Sequence, residues 1–311
     1  MTTDASPTTR INVWTRFADF IGRHGRFFTV ANIYAQGGLI VTGGAVRLTA
    51  SGLGCSSWPM CEPGEFTPQF HEATSLHPFI EFGNRTLTGV LLIIALGVAI
   101  SVWRTRPDLK RWGLFPLAGV AVQAVVGGVT VLTGLNPVAV APHFLLSALL
   151  VWQGTWLALR YRNAPRREGA CIKKPLRIST FLLFVLTVLG TLTTGAGPHS
   201  GDADATERLG LDPAAIARVH ALTVWAFVVV VAYIVFRVRK DRSAGPRDEV
   251  RKAWIVLVAV TLLQGIIGYV QYFTGLPELI VGAHLAGAAI LTAAHSAAHY
   301  LLRRDRSTVS A

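Results

Sequence analysis

Three histidines occupy corresponding places in the sequence, each a few residues inside a long apolar run. They are His143, His220 and His284. An imidazole inside a membrane span is costly and is functional by default. Two imidazoles on different helices at one depth can bind a haem iron from its two faces, while apolar helices enclose the macrocycle. We therefore expect His220 and His284 to form a ligand pair, and His143 to bind iron in the other half of the chain.

Other readings of these histidines are less consistent with the sequence. Zinc needs four ligands, and the runs around His220 and His284 contain no Cys, Asp or Glu to complete such a shell. No Cys-x-x-Cys-His stretch is present, so a haem would be held without thioether bonds. The alternative that stays open is structural: each histidine caps a helix or hydrogen-bonds across a bundle.

The fourth corresponding place, near the start of the second apolar run, is held by an asparagine. Asn84 is a poor iron ligand, and Glu81 lies three residues before it on the same helix face. An open iron position beside a carboxylate favours substrate binding and chemistry over electron transfer. His77 and His71, just before the run, are candidates for the missing ligand. In the alternative interpretation, Glu81 is a helix N-terminal acid stabilised by the macrodipole.

Two arginines lie beside these places. Arg85 comes one residue after the asparagine, and Arg218 comes two residues before the histidine of the sixth run. Guanidinium groups there would pair with haem propionates at the membrane surface, although interfacial snorkelling explains them equally well. His295 and His299 lie much farther along the last run, so we place them at the cytoplasmic interface.

The elements that carry these residues are apolar runs of about 20 residues, the length that a helix needs to cross a bilayer core of about 30 Å. The chain has 311 residues, of which 51% are hydrophobic and 15% charged, and its mean hydropathy is +0.46. This is too apolar for an ordinary soluble domain. We predict an all-α membrane protein with eight transmembrane helices, over residues 27–46, 79–103, 113–133, 141–159, 178–196, 215–236, 253–274 and 280–301.

Positive charge predicts the orientation of these helices. The net charge is +12, and 25 of the 29 Lys and Arg residues lie in the two tails and in three loops, 104–112, 160–177 and 237–252. Short basic loops stay in the cytoplasm, so both termini should be cytoplasmic in a multi-pass protein of the cell membrane. Basic residues at the ends of apolar runs indicate membrane lipid, rather than nucleic acid, as the neighbour. The four exceptions lie on or near the predicted outer side: Arg47, Arg85, Arg208 and Arg218.

The cysteines agree with this orientation. Cys55 and Cys61 lie together in the first predicted outer loop, where an oxidising compartment permits a disulfide. Such a bond is either a structural staple or a redox-active or substrate-gating pair. Cys171 lies in a predicted cytoplasmic loop and should be a free thiol.

The two halves of the chain repeat each other. Gln123, Thr133-Gly134-Leu135 and His143 recur as Gln264, Thr274-Gly275-Leu276 and His284, each with an offset of 141 positions. A four-helix unit returns the chain to its starting side, so the two units should be parallel and related by a pseudo-twofold axis along the membrane normal. The predicted domains are an N-terminal tail, an N-terminal four-helix bundle, a cytoplasmic linker, a C-terminal four-helix bundle and a C-terminal tail, at 1–26, 27–160, 161–177, 178–301 and 302–311.

Taken together, these patterns resemble the haem A synthase family. The residues that carry the resemblance are Glu81 with Arg85, the repeated Gln, Thr-Gly-Leu and His units, and the segments 42–49, 51–55 and 58–61. The resemblance covers all eight predicted helices. It implies that the protein oxidises the C8 methyl of haem O to a formyl group, through successive hydroxylations, for the haem-copper oxidases.

The resemblance also implies roles for the site residues. His220 and His284 would ligate a haem b in the C-terminal bundle, while the N-terminal bundle receives the substrate haem and supplies Glu81 as the catalytic residue. At the substrate site the family usually has two histidines. This chain keeps His143 there but departs from the pattern at Asn84.

Other implications concern the surroundings of the site. The substrate site would also include Arg85 and His77, and Arg218 would assist haem b. By resemblance, the disulfide of Cys55 and Cys61 belongs to an outer loop that covers the substrate haem. Haem O synthase would hand over the substrate, and a quinone would serve as the electron partner. The sequence leaves open whether the chain forms a homo-oligomer.

Three other functions compete with this one. A b-type cytochrome that only passes electrons from quinol would need two complete histidine pairs, preferably at two depths. A transporter would show interrupted helices and polar residues near the midplane, whereas the polar residues here lie mainly at the predicted outer ends. A haem chaperone would use the same histidines without turnover, and it would function without Glu81.

Overall fold

The computed structural model describes residues 13–69, 76–166, 172–240 and 247–302. Over this part of the chain it contains nine α-helices, a single 3₁₀ turn at Pro107–Leu109 and no β-strand, which confirms the all-α class. The helices are α1 Val13–Arg23, α2 Gly25–Leu48, α3 His77–Thr105, α4 Lys110–Leu132, α5 Pro137–Tyr161, α6 Lys173–Ala196, α7 Pro213–Lys240, α8 Arg247–Phe273 and α9 Glu278–Leu301.

The eight predicted runs coincide with α2 to α9, and their ends differ by at most six residues. Seven of these helices, α3 to α9, are long and apolar enough to cross a membrane. The chain is therefore a multi-pass membrane protein. The predicted span over residues 27–46 forms a helix of sufficient length but is too polar to count among the seven, so the eighth crossing stays a prediction.

The polar character of α2 has a structural cause. Thr29, Asn32 and Gln36 are at most 3% exposed and face the protein interior rather than its surface. The helix packs against α3, α5 and α9, so its neighbours come from both halves of the chain. Polar side chains are tolerated at such a position because the surrounding helices, not lipid, cover them.

The repeat is visible in the turns that join the helices. Leu135 and Leu276 have φ values of 60° and 61°, in the left-handed region, and each follows a glycine of positive φ. The Leu135 N–H donates to the carbonyl of Thr130, and the Leu276 N–H donates to the carbonyl of Gln271, both at 2.8 Å. The same helix-terminating turn thus ends α4 and α8, as the 141-residue offset predicts.

Within each half, neighbouring helices pack against one another, and the two halves meet where α2 and α5 contact α9 and where α5 contacts α6. One end of the molecule carries the loop that follows α2, residues 49–69, and we call it the disulfide end. The largest apolar core lies at the opposite end and includes Phe227, Ile234 and Leu257, all fully buried. Phe227 lies at the edge of this core and also lines the cavity that opens towards the disulfide end.

The tail predicted at 1–26 contains a helix that the sequence reasoning missed. The helix α1 is amphipathic: Trp14 is 75% exposed, while Ile21 is buried against α3. The backbone carbonyl of Ile21 accepts a hydrogen bond from Ser101, and Asp19 forms an ion pair with Arg104. The segment is therefore fixed to the end of α3 opposite the disulfide end.

Candidate functional site

A cavity of about 540 Å³ lies at the disulfide end and is lined by helices from both halves. It contains all four residues at the corresponding places of the repeat and two of their charged neighbours. These are Glu81, Asn84 and Arg85 from α3, His143 from α5, His220 from α7 and His284 from α9. The structure therefore brings together, in one continuous space, residues that we expected in two separate bundles.

Each histidine ring packs against a glycine of a neighbouring helix. A Cβ atom built on Gly127 would lie 3.3 Å from Cε1 of His143, and one on Gly268 would lie 3.3 Å from Cε1 of His284. The equivalent distance from Gly190 to the ring of His220 is 3.5 Å. A side chain at Gly127 or Gly268 would force its imidazole to shift by a few tenths of an ångström, whereas a Cβ atom at Gly190 would only make ordinary contact with the ring of His220.

Paired glutamines support two of these histidines from behind. Gln123 Nε2 donates to the carbonyl oxygen of His143 at 3.1 Å, and Gln264 Nε2 donates to that of His284 at 3.0 Å. The two bonds are related by the 141-residue offset. The repeated glutamines, which the sequence pattern singled out without a role, therefore hold the first turns of α5 and α9.

The cavity residues fit a haem in the second half of the chain. His220 comes from α7 and His284 from α9, and both line the same cavity. Within the described residues, the buried Nδ1 atoms of both rings, and of His143, lack a hydrogen-bond partner. Two imidazoles that face one cavity from different helices are suited to iron ligation from the two faces of a macrocycle.

The first half offers one imidazole and one amide. Asn84 Oδ1 accepts a hydrogen bond of 2.7 Å from the hydroxyl of Thr42, so its side chain is held by α2. His143 faces the same cavity from α5. The described residues thus offer one candidate iron ligand in this half, His143, and the substrate site stays a prediction.

Glu81 is the acidic group of the cavity. It is 4% exposed, and its Oε2 accepts a hydrogen bond of 2.8 Å from the backbone N–H of Cys55. Its Oε1 accepts from the guanidinium of Arg85, which also donates to the carbonyls of Ser57 and Met60. A buried carboxylate stays in place only when it is paired and hydrogen-bonded, and this one is held by both an arginine and the disulfide loop.

The disulfide between Cys55 and Cys61 is present and both residues are fully buried. Between them, Trp58 lines the cavity and packs on Gly128 of α4, where a Cβ atom would lie 2.6 Å from the indole ring. The Gly52 N–H donates to the carbonyl of Gly201, so this loop is joined to the loop after α6. The two loops together cover the cavity at the disulfide end.

Several predicted residues lie elsewhere. His77 opens α3, shares a hydrogen bond with Ser51 and does not line the cavity. Arg218 is exposed and also lies outside the cavity lining. His71 and Cys171 lie outside the described residues.

His295 and His299 were expected at an interface, yet His295 is 1% exposed and bonds to Ser179 at the end opposite the disulfide. It lies on α9 and packs against Ser179 of α6 and Phe227 of α7, so it is a buried polar residue that does not line the cavity.

Sequence reasoning missed Arg47 as a cavity residue. This residue lines the cavity, and its guanidinium donates to the carbonyls of His199 and Thr194. Two signals in the sequence mark it: its place among the four basic residues on the predicted outer side, and its position within segment 42–49. Neither signal indicates a contact with the second half of the chain.

The fold and the site define a class: a multi-pass helical membrane protein with one cavity lined by histidines and a buried carboxylate. Comparison with known proteins gives a more particular answer. The family described as "Cytochrome oxidase assembly protein" matches residues 26–296, from the start of α2 to near the end of α9. The chain belongs to this family, and several of the proteins similar to it are named Heme A synthase.

The similar proteins include one from Bacillus pumilus, named Heme A synthase, which is 31% identical over 173 residues. That alignment covers 54% of this chain and 54% of the relative, so it spans about half the length of each. Longer alignments join the chain to the Heme A synthase of Rhizorhabdus wittichii, 26% identical over 82% of this chain and 87% of the relative. The Heme A synthase of Listeria monocytogenes serotype 4a is 27% identical over 79% and 85%.

Proposed function

We propose that this chain is a haem A synthase, which oxidises the C8 methyl of haem O to a formyl group by successive hydroxylations for the assembly of haem-copper oxidases. Membership of the family and the names of its relatives support an enzyme that acts on haem. The specific reaction is an inference from the resemblance and from the cavity.

A single observation carries the proposal: a buried carboxylate and an incompletely paired imidazole face the same cavity as a complete pair of imidazoles. Glu81 and His143 belong to the first half, and His220 and His284 belong to the second. Because a doubly ligated haem suits electron transfer and an open one suits chemistry, this arrangement supports a substrate site beside an electron-transfer site.

In this proposal the substrate, haem O, binds in the first half with His143 as the iron ligand. Glu81 then acts near the reacting methyl group. Its carboxylate is held by the Cys55 N–H and by Arg85, so its position is fixed before substrate arrives. Such a preorganised group can stabilise a developing cationic carbon or accept a proton from an attacking water.

The second half would hold a haem b through His220 and His284, and this group would supply one-electron redox chemistry when bound. The chain's own contribution is to orient both rings, through Gly190 and Gly268 and through the bond from Gln264. The apolar helices and the two covering loops limit the access of water to the cavity.

The surroundings of the enzyme complete the proposal. Haem O synthase would deliver the substrate, a quinone would take the electrons, and membrane lipid would surround α3 to α9. We place the protein in the cell membrane with both termini in the cytoplasm, because 25 of its 29 basic residues would then lie on the cytoplasmic side.

The test is the haem content of the purified protein after co-expression with haem O synthase. Haems are extracted with acid-acetone and separated by chromatography with mass detection. The wild-type chain should contain haem b together with haem A or hydroxylated haem O. Glu81→Gln should bind haem b and haem O but lose product by a factor of about 100 or more, the usual contribution of a positioned acid or base.

Glu65→Gln is the matched control, because Glu65 is an exposed acid of the disulfide loop that does not line the cavity. This variant should form product like the wild type. Recovery of haem b alone, in membranes rich in haem O, would contradict the proposal and favour an electron-transfer cytochrome. Full product formation by Glu81→Gln would remove Glu81 from the chemistry.

A further inference from the structure

Arg47, in the last turn of α2, is a cavity-lining cation without an acidic partner. Its Nε donates to the carbonyl of His199 at 2.7 Å, and its Nη2 donates to the carbonyl of Thr194 at 3.2 Å. No carboxylate in the described part of the chain forms an ion pair with it. A guanidinium has five N–H donors, so two bonds to neutral carbonyls leave donors available for an anion.

A second cation strengthens the positive potential at this place. Arg208 donates to the carbonyl of Pro198, the residue directly before His199, whose carbonyl accepts from Arg47. Its other partners in the described part of the chain are the backbone carbonyls of Ala205 and Glu207. Two neighbouring cations repel one another, and a cation facing an enclosed space lacks full solvation. An anion bound in the cavity beside Arg47 would reduce the repulsion between the two cations and would replace the missing solvation of the guanidinium.

The position of Arg47 assigns it to the pocket of the second half, although α2 belongs to the first. The last turns of α2 lie against the first turns of α9: a Cβ atom on Gly44 would lie 2.7 Å from Leu285, and one on Gly282 would lie 3.4 Å from Leu48. Leu285 directly follows His284. The other contact of Arg47, Thr194, lies in the last turn of α6, at the same end of the molecule.

The other cavity arginine is already engaged. Arg85 donates to Glu81 and to two carbonyls of the disulfide loop, and Arg218 is exposed and outside the cavity lining. Neither leaves a cation facing the space between His220 and His284. We propose that Arg47 binds a propionate carboxylate of the tetrapyrrole held between these two histidines. This inference rests on the proposed function, since it requires that a tetrapyrrole binds there.

The guanidinium and the carboxylate would form charge-assisted hydrogen bonds, which are shorter and stronger than those between neutral groups. The first half of the chain would thereby supply a binding group to the second half. His199, whose carbonyl holds Arg47, has its own ring Nε2 at 2.9 Å from the carbonyl oxygen of Leu276, in the turn before α9. The arginine is thus fixed relative to the helix that carries His284.

The test is a binding cycle with two ligands and two proteins in nanodiscs. The ligands are iron protoporphyrin IX and its dimethyl ester, which has the same ring and iron but no carboxylate. The proteins are the wild type and Arg47→Gln, each stripped of bound haem, and the readout is the absorption of low-spin iron ligated by two imidazoles. Arg239, in the last turn of α7, is exposed and does not line the cavity, so Arg239→Gln serves as the control for loss of an arginine elsewhere.

We expect Arg47→Gln to bind iron protoporphyrin IX roughly 10- to 100-fold more weakly, because it loses hydrogen bonds between charged groups. Its affinity for the dimethyl ester should be unchanged, and Arg239→Gln should bind both ligands like the wild type. Equal weakening of both ligands by Arg47→Gln would overturn the inference, because it would show a general disturbance of the pocket. No weakening of either ligand would overturn it as well.

If Arg47→Gln does not fold, Arg47→Lys replaces it, since this variant keeps the charge and loses the planar fork of donors. It should weaken the binding of iron protoporphyrin IX several-fold and leave the binding of the ester unchanged. Equal weakening of both ligands by Arg47→Lys would overturn the inference. Failure of the wild type to bind either ligand would overturn the proposed function itself. Binding of both ligands without any dependence on residue 47 would overturn only the role of Arg47.

Discussion

Substitution of Gly268 by alanine tests whether the glycines of α8 fix the histidines of α9. The added Cβ atom would lie 3.3 Å from Cε1 of His284, whereas carbon atoms pack best at about 3.5–4.0 Å. Either the imidazole or the two helices must therefore move by a few tenths of an ångström. Overpacking of this kind costs about 1–3 kcal/mol.

This cost can appear in two measurable quantities. If the helices separate, the protein loses stability, although alanine in place of glycine returns about 1 kcal/mol of helix propensity. If the ring moves, haem binding weakens, by about tenfold for each 1.4 kcal/mol. Thermal unfolding of the haem-free protein and titration with iron protoporphyrin IX separate the two. The two losses together should amount to about 1–3 kcal/mol once the propensity gain of about 1 kcal/mol is added back.

The control is Gly89→Ala, within α3. Gly89 does not line the cavity, and a Cβ atom there meets no other atom within 4 Å, so this variant should bind haem like the wild type and gain up to about 1 kcal/mol in stability. If Gly268→Ala and Gly89→Ala behave alike in both assays, Gly268 does not position the ring and the inferred contact between this glycine and His284 is wrong.

Three further predictions follow from contacts of single residues. Asn84→His should add a fourth imidazole to the cavity and raise the amount of low-spin, doubly ligated iron per chain in absorption and paramagnetic resonance spectra; an unchanged amount would show that residue 84 does not face bound iron. Gly128→Ala, whose Cβ atom would lie 2.6 Å from the ring of Trp58, should displace the disulfide loop and speed amide exchange within it, whereas wild-type exchange rates would contradict the packing. Asp19→Asn should lower stability by less than about 1 kcal/mol and only at low salt, because its ion pair with Arg104 is exposed; a larger loss in thermal melts would mean that α1 depends on this pair.

Much of the fold follows from local signals in the sequence. Apolar runs of about 20 residues have few alternatives to a helix, so α3 to α9 were predictable within a few residues. The turns at Leu135 and Leu276 were predictable as a pair, because the same Thr-Gly-Leu residues recur at one offset. In contrast, α1 has no apolar run. Its amphipathic pattern does not by itself show that the helix packs against α3.

The site was predictable to the extent that the repeat marks it. His143, His220, His284 and Glu81 were identified from spacing along single helices, and all four line the cavity. What spacing cannot provide is the arrangement between helices. We expected two separate pockets, and only the packing of the two halves shows that these residues line one cavity.

Predicting the contacts of Arg47 also requires knowledge of how the two halves pack. This residue lies on α2 in the first half, but its hydrogen-bond partners lie 147 and 152 positions later in the chain. No local pattern relates residues that far apart, and the repeat relates only equivalent positions.

The polar helix α2 has a consequence for the biosynthesis of the protein. A helix with buried Asn32 and Gln36 partitions poorly into lipid by itself, so its final position depends on α3, α5 and α9. At about 5–20 residues per second, a ribosome needs roughly 10–50 s to proceed from the end of α2 to α9. During that interval the first long helix is complete while its last neighbour does not yet exist, so the cavity can close only when the chain is nearly finished.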